Sequence, residues 1–190
     1  MTEVYLVRHG ESEHNSRNLI QGQINSELTQ RGRLQAKNLR EKLSDIEFDG
    51  VYSSDLSRAY ETAEILVEDR AIEIKETEKL RERHLGELHD EPSQRWHEIE
   101  TEDHHEWKPE EGESLKEHKD RASEVLGEVT EEDYERVLVV CHGGTIRAMI
   151  AYILNCDSRQ VWRLELDNCS VTGLERFRDG WKIKYVNRKH

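Results

Sequence analysis

The chain has 190 residues, of which 34% are hydrophobic and 36% are charged. We therefore expect a small hydrophobic core and a surface rich in charged side chains. Its 41 acidic and 28 basic residues give a formal net charge of −13, which repels phosphate backbones and anionic lipids and argues against nucleic-acid binding. The longest mostly apolar stretch, residues 146–154, is far shorter than the roughly 20 residues of a membrane span, and no secretory-signal pattern begins the chain.

The N-terminal half alternates apolar runs with amphipathic patterns. Residues 3–8 are apolar on both alternating faces, which predicts a central strand, and residues 50–53 are a weaker strand candidate. Thr29 is a plausible N-cap for a helix. The apolar residues of that helix are Leu34, Leu39 and Leu43. Asp55 or Ser57 would cap a second helix. Its apolar residues are Ala59, Ala63 and Leu66.

The C-terminal half begins with a helix and ends in predicted strands. Ser114 and Glu117 form a capping-box pair ahead of a helical pattern, and residues 137–141 are a second fully apolar strand. Three further strand-like runs cover residues 161–166, 171–176 and 181–186. The last two are joined by Asp179-Gly180, a hairpin signal. The alternation predicts a three-layer α/β/α fold with a mostly parallel central sheet and an antiparallel edge.

Residues 84–113 interrupt this regular pattern. They hold 11 acids, two bases and five histidines, together with Trp96 and Trp107. Because tryptophans are usually buried, we expect an ordered, acidic, lid-like insertion that packs on the body of the protein. No repeat or linker divides the rest of the chain, so we expect one domain over residues 1–190.

The cysteines and histidines form only weak metal-binding patterns. The three cysteines are Cys141, Cys156 and Cys169. They lack a CxxC motif, which suits reduced thiols and a cytoplasmic location better than disulfides or a zinc site. The histidines of the acidic insertion include His97, His104 and His105. In a Glu-rich segment, a solvated acidic surface is favoured over a metal site.

Three predicted strands end in side chains that suit an anion. The first ends in Arg8-His9, the second runs into Arg58, and the third ends in His142-Gly143. Ligands of open α/β sheets bind beyond the carboxyl ends of the strands. Arginine matches phosphate oxygens with a planar fork of donors, and glycines at helix starts let backbone N–H groups approach an anion. If the strands are neighbours, these residues form a cationic pocket for a phosphate.

Several motifs in chain order resemble the histidine phosphatase superfamily, also called the phosphoglycerate mutase-like family. The matching segments are residues 6–12 (LVRHGES), Asn15, Gln21-Gly22, residues 28–36, residues 53–63, residues 80–86, His142-Gly143-Gly144 and residues 168–172. The resemblance runs from residue 6 to about residue 176. It therefore covers nearly the whole chain.

The resemblance implies a metal-independent phosphomonoester hydrolase that works through a phosphohistidine and needs no cofactor. His9 would attack phosphorus as a neutral imidazole, and Glu82 would protonate the leaving oxygen and then activate water. Arg8, Arg58 and His142 would clamp the phosphoryl oxygens. The residues implied in substrate binding are Asn15, Gln21, Gly22 and Gly143. The expected substrate is a small phosphorylated metabolite, with no nucleic acid or membrane as partner.

A cofactor-dependent phosphoglycerate mutase is the alternative within the same family. Such mutases are usually longer and carry extra bases in the insertion, whereas residues 84–113 are strongly acidic. Repulsion near the pocket should penalise multiply charged substrates, although salt screens charges beyond about 8 Å. The phosphatase is therefore favoured. The departures from common family residues are Leu19, Asn25, Glu27 and His89-Asp90, none of them at a proposed catalytic position.

Two other functions compete with these. Cys141, Gly144 and Arg147 have the spacing of a cysteine-based tyrosine phosphatase loop. Val140 and Ala148 depart from that loop, and it assigns no role to the Arg-His-Gly motif. A non-catalytic phosphate-binding or interaction module would have lost a motif residue, and all are present.

Overall fold

The structure, a computed structural model, describes residues 2–98 and 106–189, with the backbone alone for residues 96–98. Its helices and strands are β1 (Glu3–Arg8), α1 (Glu13–Ser16), α2 (Gln30–Lys42), β2 (Gly50–Ser53), α3 (Ser57–Val67), β3 (Ile74–Glu76), α4 (Leu115–Glu131), β4 (Arg136–Cys141), α5 (Gly143–Ile153), α6 (Ser158–Val161), β5 (Val171–Phe177) and β6 (Gly180–Arg188). Short 3₁₀ turns lie at Glu78–Leu80, Gly86–Leu88 and Ser93–Glu98. Among the described residues, none of the helices combines the length and the apolar character that crossing a membrane requires.

A six-stranded sheet with the order β3-β2-β4-β1-β5-β6 forms the centre of the molecule. The pairs β1–β4, β4–β2 and β2–β3 are parallel, while β5 pairs antiparallel with both β1 and β6. The predicted mostly parallel sheet with an antiparallel edge is therefore confirmed. Strands β1 and β4 lie in the middle of this sheet, where an apolar run without alternation is expected.

Helices pack on both faces of the sheet and complete the three predicted layers. On one face, α4 and α5 bury Leu126 and Met149 in a cluster with Leu6 of β1. On the other face, α2 and α3 bury Leu39 and Leu66 against the strands. Full burial of such a side chain contributes roughly 1.5–3 kcal/mol relative to exposure. The two clusters thus hold the strand ends in place.

Two of the three predicted helix N-caps are confirmed. Thr29 accepts a hydrogen bond from the N–H of Gly32, and Ser114 forms the predicted capping box. The cap predicted for α3 is wrong, because Leu56 stands at that position without a side-chain hydrogen bond. The Asp55 carboxylate is occupied elsewhere, since it accepts from the Nε of Arg81 at 2.8 Å.

One prediction from apolar spacing is wrong. Residues 161–166 are predicted as a strand, but α6 ends at Val161 and no strand follows before β5. Asp157 caps this short helix in a capping box, which favours helical over extended backbone. Leu34 lies in α2 as predicted, but its side chain is 58% exposed. It lies five residues from Leu39, or about 140° around the helix, and therefore points away from the core.

The described parts of the acidic insertion pack on the body through a small apolar cluster. Leu85 and Leu88 are buried with Ile20, and Trp107 packs against them. The side chains of Trp96 and His97, and all of His104 and His105, lie outside the described residues.

Candidate active site

The carboxyl ends of β1, β2 and β4 meet at one edge, because these parallel strands are neighbours in the sheet. A cavity of about 250 Å³ opens at this edge. The predicted site residues that line it are Arg8, His9, Asn15, Gln21, Gly22, Arg58, Glu82 and Gly143. The remaining one, His142, is buried with its ring centre 5.1 Å from that of His9. The structure therefore brings together all nine residues.

The hydrogen bonds of His9 define which of its ring nitrogens is an acceptor. Its Nδ1 lies 2.6 Å from the carbonyl oxygen of Gly10, which can only accept, so Nδ1 carries the proton and Nε2 the lone pair. The Nε of Arg58 donates to this Nε2 at 3.3 Å. Burial, followed by the charges of Arg58 and Arg8, lowers the pKa of His9 well below its usual value. The imidazole is therefore neutral at physiological pH.

The two site arginines differ in how their donors are used. Arg58 is 1% exposed, and its terminal nitrogens donate to the carbonyl oxygens of Gly22 and Ile24, both at 2.8 Å. Burial lowers the pKa of Arg58 to about 10, so it remains charged near neutral pH. Arg8 donates through Nη1 to the carbonyl of Leu166, while its buried Nε has no partner among the described residues. That Nε is available to an anionic ligand.

His142 stands as the N-cap residue of α5, directly beside His9. Its Nε2 lies 2.9 Å from the hydroxyl of Ser54, and its buried Nδ1 has no partner among the described residues. Burial, then the charge of Arg58, lowers the pKa of His142 well below the usual histidine value. His142 is therefore a second neutral imidazole of the site.

Backbone N–H groups hold the carboxylate of Glu82. Its Oε1 accepts from the N–H of Arg83 and its Oε2 from the N–H of Gly144, both at 2.9 Å. A Cβ at Gly144 would lie 2.2 Å from Oε1, so glycine is required for this approach. His118 of α4 lies behind Glu82, with its Nε2 3.9 Å from Oε1 and 3.2 Å from the Thr145 hydroxyl.

Two amide side chains add neutral donors to the cavity. Asn15 accepts through Oδ1 from the Ser12 N–H and from the amide of Asn168. Gln21 accepts through Oε1 from the hydroxyl of Ser12. Their oxygens are occupied, whereas the NH₂ groups of Asn15 and Gln21 have no partner among the described residues and can bind a ligand.

Several residues at this site had no predicted role in it. Asn168 was noted only as part of a late motif, yet it donates to the carbonyl oxygen of His9 at 3.0 Å. His118 gave no sequence signal, because its place behind Glu82 depends on how α4 packs. Arg147 was considered only in the cysteine loop, although it stands one helical turn after the His-Gly-Gly motif and lines the cavity.

Cys141 does not belong to the cavity. Its side chain is fully buried in the apolar cluster between the sheet and α5. Burial strongly raises the pKa of the Cys141 thiol, whereas a nucleophilic cysteine needs a lowered one. These observations count against the cysteine-based phosphatase.

The fold and the site together define an α/β protein whose pocket is built from two neutral histidines, the buried Arg58 and the half-buried Arg8. The chain matches the model of the histidine phosphatase superfamily (branch 1) over residues 4–189, and it belongs to that family.

Its relatives carry both phosphatase and mutase names. It is 28% identical to the "Putative phosphoserine phosphatase 2" of Hydrogenobacter thermophilus, covering 99% of this chain and 96% of that protein. It is 32% identical to the "Probable phosphoglycerate mutase GpmB" of Serratia proteamaculans, covering 95% and 88%. Among solved structures, a mycobacterial glucosyl-3-phosphoglycerate phosphatase in complex with VO₃ superposes with a TM-score of 0.89 at 28% identity, covering 100% of both chains.

Proposed function

We propose that this protein is a phosphomonoesterase that hydrolyses a small phosphorylated metabolite through a phosphohistidine at His9. The observation that carries the proposal is the tautomer of His9. The Nδ1–H of His9 donates to the carbonyl oxygen of Gly10, so the lone pair is on Nε2. This Nε2 lies beside the N–H of Arg58 Nε. A neutral, oriented nucleophile next to two cations is what transfer of a phosphoryl group requires.

In the first step, His9 Nε2 forms a bond to phosphorus and the bond from phosphorus to the ester oxygen breaks. Glu82 acts as the general acid and gives a proton to the departing oxygen. Arg8 and Arg58 stabilise the charge on the phosphoryl oxygens, with the unpartnered Nε of Arg8 as one donor. His142 adds a neutral donor from the adjacent strand end.

In the second step, the Glu82 carboxylate takes a proton from water as the water oxygen attacks phosphorus. The nitrogen–phosphorus bond breaks, which releases inorganic phosphate and restores neutral His9. The amides of Asn15 and Gln21, with Gly22 and Gly143, complete the contacts to the substrate. This scheme needs no metal or cofactor.

The names of the relatives support a small phosphate ester as substrate, since they refer to phosphoserine, phosphoglycerate and glucosyl-3-phosphoglycerate. A single domain over residues 1–190, with residues 84–113 as its acidic insertion, remains part of the proposal. A cytoplasmic location does too, supported by three free cysteines.

The proposal is tested with a panel of phosphorylated metabolites, following phosphate release and, for 3-phosphoglycerate, isomerisation in parallel. The wild-type protein should release phosphate and form an acid-labile, base-stable phosphoenzyme. His9→Ala should lose both, while His14→Ala, which changes a histidine that does not line the cavity, should keep both. Isomerisation without phosphate release would favour the mutase. A base-stable label on His142, or a thiophosphate on Cys141, would overturn the mechanism.

A further inference from the structure

The segment that carries Glu82 is held against α4 by the side chain of Arg121. The terminal nitrogen Nη1 of Arg121 donates to the backbone carbonyl oxygens of Glu78, Lys79 and Arg81, at 3.2, 2.8 and 3.1 Å. The other terminal nitrogen, Nη2, donates to the carbonyl oxygen of Glu82 at 3.2 Å. One guanidinium group thus contacts four carbonyl oxygens of the chain that leads up to Glu82.

The guanidinium of Arg121 is itself fixed by an ion pair with Glu113. Its Nε donates to Oε1 at 2.7 Å and its Nη2 to Oε2 at 2.8 Å, which is the bidentate geometry that arginine forms with a carboxylate. The two side chains are 22% and 20% exposed, so solvent screens this pair less than a pair at the surface. Although burial by itself would raise the pKa of Glu113, the hydrogen bond and the charge of Arg121 hold this pKa below its usual value.

Glu113 also binds the two residues that follow Glu82. Its Oε2 accepts from the N–H of His84 at 2.9 Å, and its own N–H donates to the carbonyl oxygen of His84 at 2.9 Å. Its carbonyl oxygen accepts from the Nε of Arg83 at 2.7 Å. Arg121 therefore holds the chain before Glu82, and Glu113 holds the chain after it. The N–H of Arg83, which donates to the Glu82 carboxylate, lies between these two attachments.

The proton transfer proposed for Glu82 depends on this placement. A general acid has to lie within hydrogen-bond distance of the leaving oxygen, and a misplacement of about 1 Å can cost about 10²-fold in rate. Among the described residues, neither Arg121 nor Glu113 lines the cavity, so both would act through the backbone of residues 78–84. We infer that the Arg121–Glu113 ion pair positions the Glu82 carboxyl group for proton transfer to the leaving oxygen. This inference rests on the proposed function, and it makes Arg121 and Glu113 positioning residues of the reaction.

A contact that only stabilises the fold and a contact that positions Glu82 have different kinetic effects. Loss of a purely stabilising contact lowers the amount of active protein and slows all esters by the same factor. Loss of a positioning contact slows each ester in proportion to its need for a proton. An alkoxide leaving group depends on the general acid, whereas p-nitrophenolate needs little protonation.

The test compares the burst rates with glycerol 3-phosphate and with p-nitrophenyl phosphate. Arg121→Met should lower the rate with glycerol 3-phosphate at least tenfold more than the rate with p-nitrophenyl phosphate. Arg121→Lys keeps the charge but not the fork of donors, and its loss should be intermediate. Glu113→Gln should show a smaller loss of the same kind, since its amide oxygen still accepts one hydrogen bond.

Lys79→Met is the matched control for these variants. It removes ion pairs that join the same segment to Glu124 and Glu128 of α4, and it leaves the Arg121 side chain in place. We expect both burst rates of Lys79→Met to equal those of the wild-type protein. Burst amplitudes count the active molecules in each preparation, so a poorly folded fraction does not alter the rates. If Arg121→Met does not fold, the same comparison is made with Glu113→Gln.

A double variant separates positioning of Glu82 from any independent effect of the ion pair. In Glu82→Gln the general acid is already absent. Adding Arg121→Met to this protein should therefore lower the burst rate with glycerol 3-phosphate less than twofold further.

Two outcomes would overturn the inference. One is an equal loss of burst rate with both esters in Arg121→Met, and the other is a double variant in which the two single losses multiply. Failure of the proposed function gives a different result. In that case phosphate release by the wild-type protein would not depend on His9, or Glu82→Gln alone would slow both esters equally.

Discussion

Arg58 donates a hydrogen bond from its Nε to the Nε2 of His9, at 3.3 Å. The Arg58 guanidinium thus contacts the His9 nitrogen that is proposed to attack phosphorus, and its positive charge disfavours protonation of that nitrogen. In the proposed reaction, a phosphoryl oxygen replaces His9 as the acceptor of this N–H. Burial first, and then the charge of Arg58, keep His9 neutral, and in the proposed reaction the phosphoryl group releases this contact.

The pH profile of phosphoenzyme formation should depend on Arg58. Because protonation removes the nucleophile, a lowered pKa of His9 shifts the acid limb of the burst rate below the usual histidine range. Arg58→Met should slow the burst and move the acid limb to higher pH. Rapid-quench measurements from pH 5 to 8 test this, and comparison of the two proteins cancels the titration of the substrate. Identical acid limbs would show that Arg58 does not control the protonation of His9.

Glu82→Gln should lower the burst rate with alkyl phosphates more than the burst rate with p-nitrophenyl phosphate. A good leaving group needs little protonation, whereas an alkoxide depends on the general acid, typically by a factor of about 10²–10⁴. The comparison uses burst rates, since loss of water activation would slow steady-state turnover of both esters. Glu87→Gln, at an exposed position in the neighbouring segment, is the control. Equal losses for the two esters would argue that Glu82 does not supply the proton.

Gly144→Ala should reproduce the Glu82 defect without a change in any titratable residue. The new Cβ would lie 2.2 Å from Oε1 of Glu82 and would displace the carboxylate. Gly127→Ala is the matched control, because a Cβ at Gly127 meets nothing within 4 Å. It should leave activity intact and stabilise α4 by roughly 0.5–1 kcal/mol. Normal burst rates in Gly144→Ala would mean that the placement of Glu82 against α5 is unimportant.

The stability of the protein should fall in acid, partly because of His118. Burial lowers the pKa of His118 from 6.5 to about 4, so the unfolded chain binds the proton more readily than the folded one. The stabilisation is present above pH 6.5 and is lost as the pH falls from there towards 4. His118→Gln should lose roughly 1 kcal/mol less stability than wild type between pH 7.5 and 5.5. Urea unfolding at both pH values measures the difference, and parallel losses would contradict a neutral buried His118.

Cys141→Ala should retain most of the phosphatase activity. The thiol packs in the core, so its removal leaves a small cavity and lowers the melting temperature without touching the site. Activity and thermal unfolding are measured on the same preparation. A folded Cys141→Ala protein with a 10²-fold loss of activity would revive the cysteine-based mechanism.

Local sequence was sufficient for much of the fold. The apolar runs of β1 and β4 identified the central strands, because only strands covered on both faces tolerate such runs. Thr29 and Ser114 marked two helix starts through hydrogen bonds that span three residues. By contrast, β3 is three residues long and was not predicted, since it is held by pairing with β2 rather than by its own pattern.

The amino-acid sequence by itself determined which residue types stand at the strand ends, and with them the resemblance to a family. Only the tertiary structure decided that β2, β4 and β1 are neighbours, which brings Arg58 to His9 and the backbone of α5 to Glu82. It also decided that Arg147 lines the cavity, and that the described acidic side chains of residues 84–113 do not. Strand order, burial and the pairing of charges arise from contacts between distant segments, and no local pattern of residues encodes them.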